Sequence, residues 1–221
     1  MRRVLAGVLC AVAVTAGCGT EEAPDNAAST PTTTASTTAS TTPAAALASS
    51  GIPAPPPIDE WTVTTDSDTG VSFALPGEPK RQERPGVDGV TAAGTVYQVE
   101  LDGGFGLAVS FSSAPGAEYS AAGLADIADQ FVDQFHAAGA KDVQVVDRVP
   151  SEVDGHPALD FRVSFTAGTG GRSVWFVRYV GNGSEAVQLQ SIAFAEPAEE
   201  AAVTEALRPY HQQLIGSLSM P

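Results

Sequence analysis

The chain is poor in cysteine, in positive charge and in long apolar runs. Of 221 residues, only Cys10 and Cys18 are cysteine. Beyond residue 18 there is thus no thiol for a disulfide, a thiolate metal site or a cysteine nucleophile. Lys and Arg number 11 against 26 Asp and Glu, a formal net charge of -15. A phosphate backbone would repel such a chain, and polyanion binding needs a basic face. Nucleic acid is therefore excluded as a partner. Histidine occurs three times, at His136, His156 and His211, without the close pairing of a metal motif. Gly-x-Ser-x-Gly, Ser-x-x-Lys and a phosphate loop ending in Gly-Lys are all missing. The sequence names no catalytic residue, no cofactor and no metal ligand.

What is present begins with a targeting segment, set apart from the fold. Arg2 and Arg3 precede an uncharged apolar stretch of eleven residues, Val4 to Val14. A transmembrane helix needs ~20, whereas a signal sequence needs fewer. Thr15-Ala16-Gly17-Cys18 follows, which resembles the lipobox of bacterial lipoproteins. That resemblance implies a signal peptide at 1–17 and acylation of Cys18, although Thr15 stands where Leu is usual. A secretory signal cut elsewhere, for instance after Ala13, is the alternative. Residues 18–56 then read as a tether. From Ser29 to Thr42, eleven of fourteen residues are Ser or Thr, and Ala54-Pro55-Pro56-Pro57 follows. Such a stretch buries too little to offset the entropy of ordering. As a flexible coil it spans roughly 35 Å, and ~120 Å when fully extended.

Residues 57–221 are expected to form a single domain. They hold nine basic and 23 acidic residues, a net charge of -14. Trp61 to Thr65 and Val71 to Leu75, joined by Asp66-Ser67-Asp68-Thr69-Gly70, read as a hairpin. Asp66-x-Asp68 opens like a calcium loop, but the later ligand positions are wrong, so a turn is preferred. Glu78 to Gly89 reads as a polar loop. Tyr97, Val99 and Leu101 share one strand face, as do Leu107, Val109 and Phe111. Leu124, Ile127, Ala128, Phe131 and Phe135 recur at helical spacing behind Ser120, a suitable N-cap. Further strands are expected at about 143–149, 159–165, 174–180 and 186–193. In the stretch from Val174 to Val180 both alternating faces are apolar, the mark of a strand covered on both sides. A last helix should start near Pro197, with Pro209 kinking it near Arg208. The resulting class is α+β: an antiparallel sheet of about seven to eight strands with two main helices packed on its faces.

Val71-Ser72-Phe73-Ala74-Leu75-Pro76-Gly77-Glu78-Pro79 is similar to the opening of a family of bacterial envelope proteins. Val153-Asp154-Gly155-His156-Pro157-Ala158-Leu159-Asp160-Phe161 resembles that family's central step into a long strand. With the lipobox, the Thr-rich stalk and the Ser217-Leu218 ending, residues 60–218 resemble the Lpq-type lipoproteins of actinobacteria. The resemblance implies a PsbP-like sandwich and a place at the outer face of the cytoplasmic membrane. It carries no agreed catalytic residues.

Two arginines interrupt apolar strands. Arg178 stands in the doubly apolar strand, and Arg162 shares a face with Asp160. A buried guanidinium needs a partner. One reading makes both structural ion pairs with Asp160 or a nearby carboxylate. The other places Arg178 and Arg162, with Trp175 or Tyr97, around a pocket for an anionic or glycolipid head group. The function expected is a non-enzymatic binding module for an amphipathic envelope ligand, a lipid or glycolipid, or a protein partner. An accessory subunit of an envelope transport or secretion complex is the first alternative. A hydrolase with an unrecognised carboxylate site is the second, and close acidic pairs in a concave cleft would favour it.

The anchor is open to direct test. Two or three acyl chains hold a protein firmly to a membrane, where one does not. Cys18→Ala should release the protein to the medium or leave uncleaved precursor, as read by fractionation and the mass of the N-terminus. Processing and membrane retention like the wild type would disprove lipidation.

Overall fold

The computed structural model describes residues 51–84, 93–113, 119–168 and 170–221. Cys18, the signal segment and most of the tether lie outside them. Nine strands occur among the described residues: β1 (Thr62–Thr65), β2 (Ser72–Leu75), β3 (Lys80–Arg84), β4 (Ala93–Leu101), β5 (Phe105–Ser113), β6 (Lys141–Val153), β7 (His156–Thr166), β8 (Arg172–Asn182) and β9 (Glu185–Ala195). Two α-helices join them, α1 (Ala121–Ala137) and α2 (Glu200–Gly216). β3 to β9 form one antiparallel sheet in the order β3-β4-β5-β9-β8-β7-β6, and β1 and β2 pair separately. This is the expected α+β class.

The central strand is where the sequence places it. β8 lies between β9 and β7. Val174, Phe176 and Val180 face one side, with Leu189's side of the core. Trp175, Val177 and Tyr179 face the other. α1 covers the second face over β6, β7 and β8, and α2 covers the first over β8 and β9. α1 presents Leu124, Ile127, Ala128 and Phe131 to the sheet. Its Ser120 accepts a hydrogen bond from the Gly123 amide at 3.3 Å, the N-cap role that fixes the helix start. α2 follows a short 3-10 turn at Pro197–Glu199 and continues through Pro209 to Gly216.

Three features depart from the sequence reading. Part of the expected polar loop is a strand: Lys80-Arg81-Gln82-Glu83-Arg84 pairs with β4. It is an edge strand with mostly exposed side chains, so no apolar alternation betrays it. β6 runs longer than expected, with register shifts at 141/144 and 146/149. Asp142 and Asp147 there have positive φ, 51° and 56°. These bulges, with Pro150 and the charges on β3, discourage pairing of either sheet edge with another chain. Packing also reaches closer to the N-terminus than residue 57. Ile52 is 2% exposed and joins the cluster of Trp61, Phe105 and Tyr210. Tyr210 donates to the carbonyl of Ala54 at 3.4 Å, and Trp61 Nε1 to that of Pro56 at 3.2 Å.

A chain beginning at Ile58 should thus be less stable than one beginning at Gly51. Burying one Ile side chain contributes about 2 kcal/mol, and in a domain this size that moves Tm by roughly 5 °C. Thermal unfolding of the two forms checks this. Equal Tm values would show that Ile52 adds nothing.

Candidate functional site

The side chains singled out from the sequence do not meet at one place. Strand alternation puts Trp175 and Arg178 on opposite faces of β8. Trp175 is 6% exposed and packs against Phe131, Phe135 and Phe165 under α1. Arg178 lies on the α2 face, so the two do not share a pocket. Tyr97 is on that face too, but on β4, with β5 and β9 between it and β8.

Arg178 has its counter-charge in the strand register. Asp160 is its direct partner on β7. Nε donates to Asp160 Oδ1 at 2.6 Å, and a terminal nitrogen donates to Oδ2 at 2.8 Å. This two-pronged geometry is the strongest available to a guanidinium. Ser151 donates to the same carboxylate at 2.9 Å. Arg162 lies 3.6 Å from Asp147 on the bulged edge strand. Arg172, which the sequence reading passed over, is more buried than either, at 6% exposure. Its Nε donates to Glu200 at 2.6 Å, and its terminal nitrogens donate to the Asp142 carbonyl, Thr166 and Ser164. Burial pushes the Glu200 carboxyl up, but the hydrogen bonds from Arg172 and Ser164 outweigh it and leave it lowered. Phe176 carries the Arg208 guanidinium over its ring at 5.5 Å. These arginines tie α2 and the bulged edge to the sheet.

Titratable groups converge instead at the other end of the sheet. A cleft of about 650 Å³ opens there, lined by residues of β3, β4, β5, the β1–β2 turn and the start of β9. Arg81 and Arg84 come from β3, Asp66, Asp68 and Thr69 from the turn, and Glu185 from β9. Thr95, Phe111, Ser112 and Ser113 complete the wall. Tyr97 stands behind it. Arg81 Nε donates to the Tyr97 hydroxyl at 3.2 Å, and that hydroxyl donates to Asp66 Oδ2 at 3.0 Å. The other Asp66 oxygen accepts from the amides of Asp68 and Thr69 and from the Thr69 hydroxyl. Asp66 is thus consumed by the turn, as the turn reading expects. Its lone pairs are taken without a metal.

Electrostatics in the cleft follow from this crowding. Burial pushes the Glu185 carboxyl up, and the negative charges of Asp66 and Asp68 push it further. Arg81 is held more firmly protonated by its bonds to Glu83 and Tyr97. Burial raises the Tyr97 phenol, against the pull of Arg81. The cleft therefore offers fixed positive charge, carboxylates and four hydroxyls within one concavity. No sequence motif announces it, because its members come from five separate segments. Among the described residues, no group of three or more His, Cys, Asp or Glu is arranged to hold a metal.

No family model matches the chain, and no curated protein does. Among solved structures it is similar to cyanobacterial PsbP (CyanoP) from Synechocystis, at 15% identity and a TM-score of 0.48, over 73% of this chain and 92% of that one. It is also similar to LpqN, involved in cell envelope biogenesis of Mycobacterium tuberculosis, at 13% identity and a TM-score of 0.39, over 73% and 91%. A protein of unknown function from Pseudomonas aeruginosa matches at 11% identity and 0.39, over 70% and 95%. At these identities the likeness concerns the course of the chain alone.

Burial of a histidine beside the arginine network gives stability a pH dependence. His211 of α2 is buried beside it, with Nδ1 3.1 Å from the Ser191 hydroxyl. Burial lowers its pKa to about 4; the Asp160 charge opposes this and the Arg178 charge adds to it. In the unfolded chain an imidazole titrates near ~6.5. As pH falls from about 6.5 to about 4, the unfolded state takes up a proton that the folded state refuses. Stability should fall across that window, by up to about 3 kcal/mol from this group. His211→Gln keeps a polar partner for Ser191 and should flatten that part of the profile. Urea midpoints measured across the window for both proteins decide it; parallel profiles would remove His211 as the cause.

Proposed function

We propose that this protein is a non-catalytic envelope module. Cys18 and the tether hold it at the outer face of the cytoplasmic membrane. Its domain takes the polar head group of an amphipathic envelope ligand in the cleft between β3, β5 and the β1–β2 turn. One observation carries the reading: a concavity of about 650 Å³ that sets Arg81 and Arg84 beside carboxylates and the hydroxyls of Thr69, Thr95, Ser112 and Ser113. That volume is in the range of small-molecule sites. The mixture suits a ligand rich in hydroxyls that also carries an anionic group. The overall negative field would repel such an anion, so a placed guanidinium must meet it locally. Arg81 thereby takes the part that the sequence reading gave to Arg178.

A second reading rests on the same cleft. Carboxylates crowd there, and Glu185 is pushed toward its protonated form by burial and by Asp66 and Asp68. That is the behaviour of a general acid, and it favours the hydrolase alternative.

The two readings separate in one experiment. The tethered chain is titrated with a neutral disaccharide, a uronic acid and a sugar phosphate while the amide resonances are followed. An anionic sugar should shift Thr95, Ser112, Ser113 and Glu185. Arg81→Ala should weaken it about tenfold, the worth of one charge-assisted hydrogen bond. Failure of all three ligands to shift those amides would defeat the binding proposal. Release of reducing sugar from aryl glycosides, lost in Glu185→Gln, would establish the hydrolase instead.

A further inference from the structure

A second concavity lies at the opposite end of the β4–β5 hairpin, on the face that carries α1. Its volume is about 150 Å³. Gly106 and Ala108 of β5 form the floor, Gln98 and Glu100 of β4 one wall, and Ile192 and Phe194 of β9 the other. α1 packs over β6, β7 and β8, and among the described residues no helix packs over this half of the face. Gly106 keeps the floor open, since a side chain there would rise into the groove and its Cβ would stand 3.0 Å from the Val99 carbonyl. Phe194 is 45% exposed at the rim.

Size and charge together narrow the occupant. An apolar cavity of ~150 Å³ holds one benzene-sized group. It has room for a single Phe or Leu side chain and not for a long acyl chain. None of the groove residues is Lys or Arg, while Glu100 is exposed on its wall and Asp102 is exposed at the adjoining turn. A second copy would bring its own net charge of -15 against this one. Residues 19–50 hold no basic residue, so the tether offers Glu100 no counter-charge.

We propose that the groove is a docking site for a protein segment that places one Phe or Leu side chain over Gly106 and Ala108 and a flanking Lys or Arg beside Glu100. The partner is a basic-aromatic stretch of another polypeptide. This inference is independent of the polar cleft, whose Ser112 lies roughly 20 Å along β5 from Gly106.

The test uses the tethered chain and a capped synthetic probe, Gly-Lys-Phe-Lys-Gly, with Gly-Lys-Ala-Lys-Gly and Gly-Glu-Phe-Glu-Gly as controls. The basic-aromatic peptide should shift the Gly106, Ala108 and Phe194 amides, and the shifts should shrink with salt. Either control should bind at least about tenfold more weakly, as the loss of one buried ring or of its charge match requires. Glu100→Lys and Phe194→Ala change exposed side chains and leave the fold in place. Each should reduce binding of the basic-aromatic peptide, and Glu100→Lys should improve binding of the acidic one. Equal binding of the three peptides would overturn the proposal. So would a shift of the Gly106 amide on removing residues 19–50, which would assign the groove to the tether. A concentration-dependent dimer abolished by Phe194→Ala would assign it to a second copy and also overturn the proposal.

Discussion

β8 is apolar on both of its sides, and the other layers of the molecule answer that fact. Val174, Phe176 and Val180 need cover on one face, Trp175, Val177 and Tyr179 on the other. Each such side chain contributes about 2 kcal/mol when water is removed from it. A single covering layer would leave half of that unrealised. α1 closes one side with Leu124, Ile127 and Phe131. α2 closes the other with Val203, Leu207, Tyr210 and Leu214, joined by Ile52, Trp61 and Phe73 from the N-terminal segment and the small sheet. The polar members of β8 obey the same constraint. Arg172 and Arg178 sit on the α2 face and are met at once by Glu200 and Asp160, because an unpartnered charge there would cost more than the strand gains.

Cover of this kind is uneven, and both concavities follow from the unevenness. Seven strands at ~4.8 Å spacing make a sheet roughly 29 Å across, while one helix is about 10 Å wide. α1 therefore serves β6 to β8 and cannot reach β4. Among the described residues no helix packs over the β4–β5 half of that face, which carries small or polar residues, Gly106, Ala108, Ser110, Gln98 and Glu100, with Ala108 and Ser110 still buried. On the α2 face the small sheet of β1 and β2 extends the cover toward β4. Where its turn stops, the polar wall of Asp68, Arg81 and Glu185 begins.

Much of this architecture is legible in the sequence, and the reason is burial. Val174 to Val180 declares a central strand because both of its faces must be apolar. Ser120 and the stripe from Leu124 to Phe135 declare α1 because a capped helix on a sheet needs one apolar side. β3 is illegible for the converse reason: an edge strand with mostly exposed side chains has no apolar alternation to read. The bulges of β6 are equally hidden, since the sequence carries no mark of Asp142 and Asp147 at positive φ. Site geometry is harder still. Arg178 and Trp175 are three residues apart, so strand alternation alone separates them once the strand is assigned. Arg81, Glu185 and Asp68 are brought together only by β4 and β5 passing between their segments, and pairing order is a long-range property that no local pattern encodes.

The placement of the N-terminal segment has a consequence for how the sites would be used. Gly51 lies against Gly103 in the β4–β5 turn, its carbonyl 3.0 Å from where a Cβ on that residue would stand. The chain thus enters the domain at the apolar groove's end of the hairpin, and the polar cleft opens at the far end. A lipid anchor at Cys18 would pull on the groove end, with residues 19–50 in between. By composition that stretch would span roughly 30 Å, more than the ~27 Å length of β5. Such an anchor would limit how far the domain strays from a membrane without fixing which end meets it. Orientation is then left to whatever occupies the two concavities. A partner held at the groove would occupy the end where the chain enters the domain and leave the cleft open at the far end of β5.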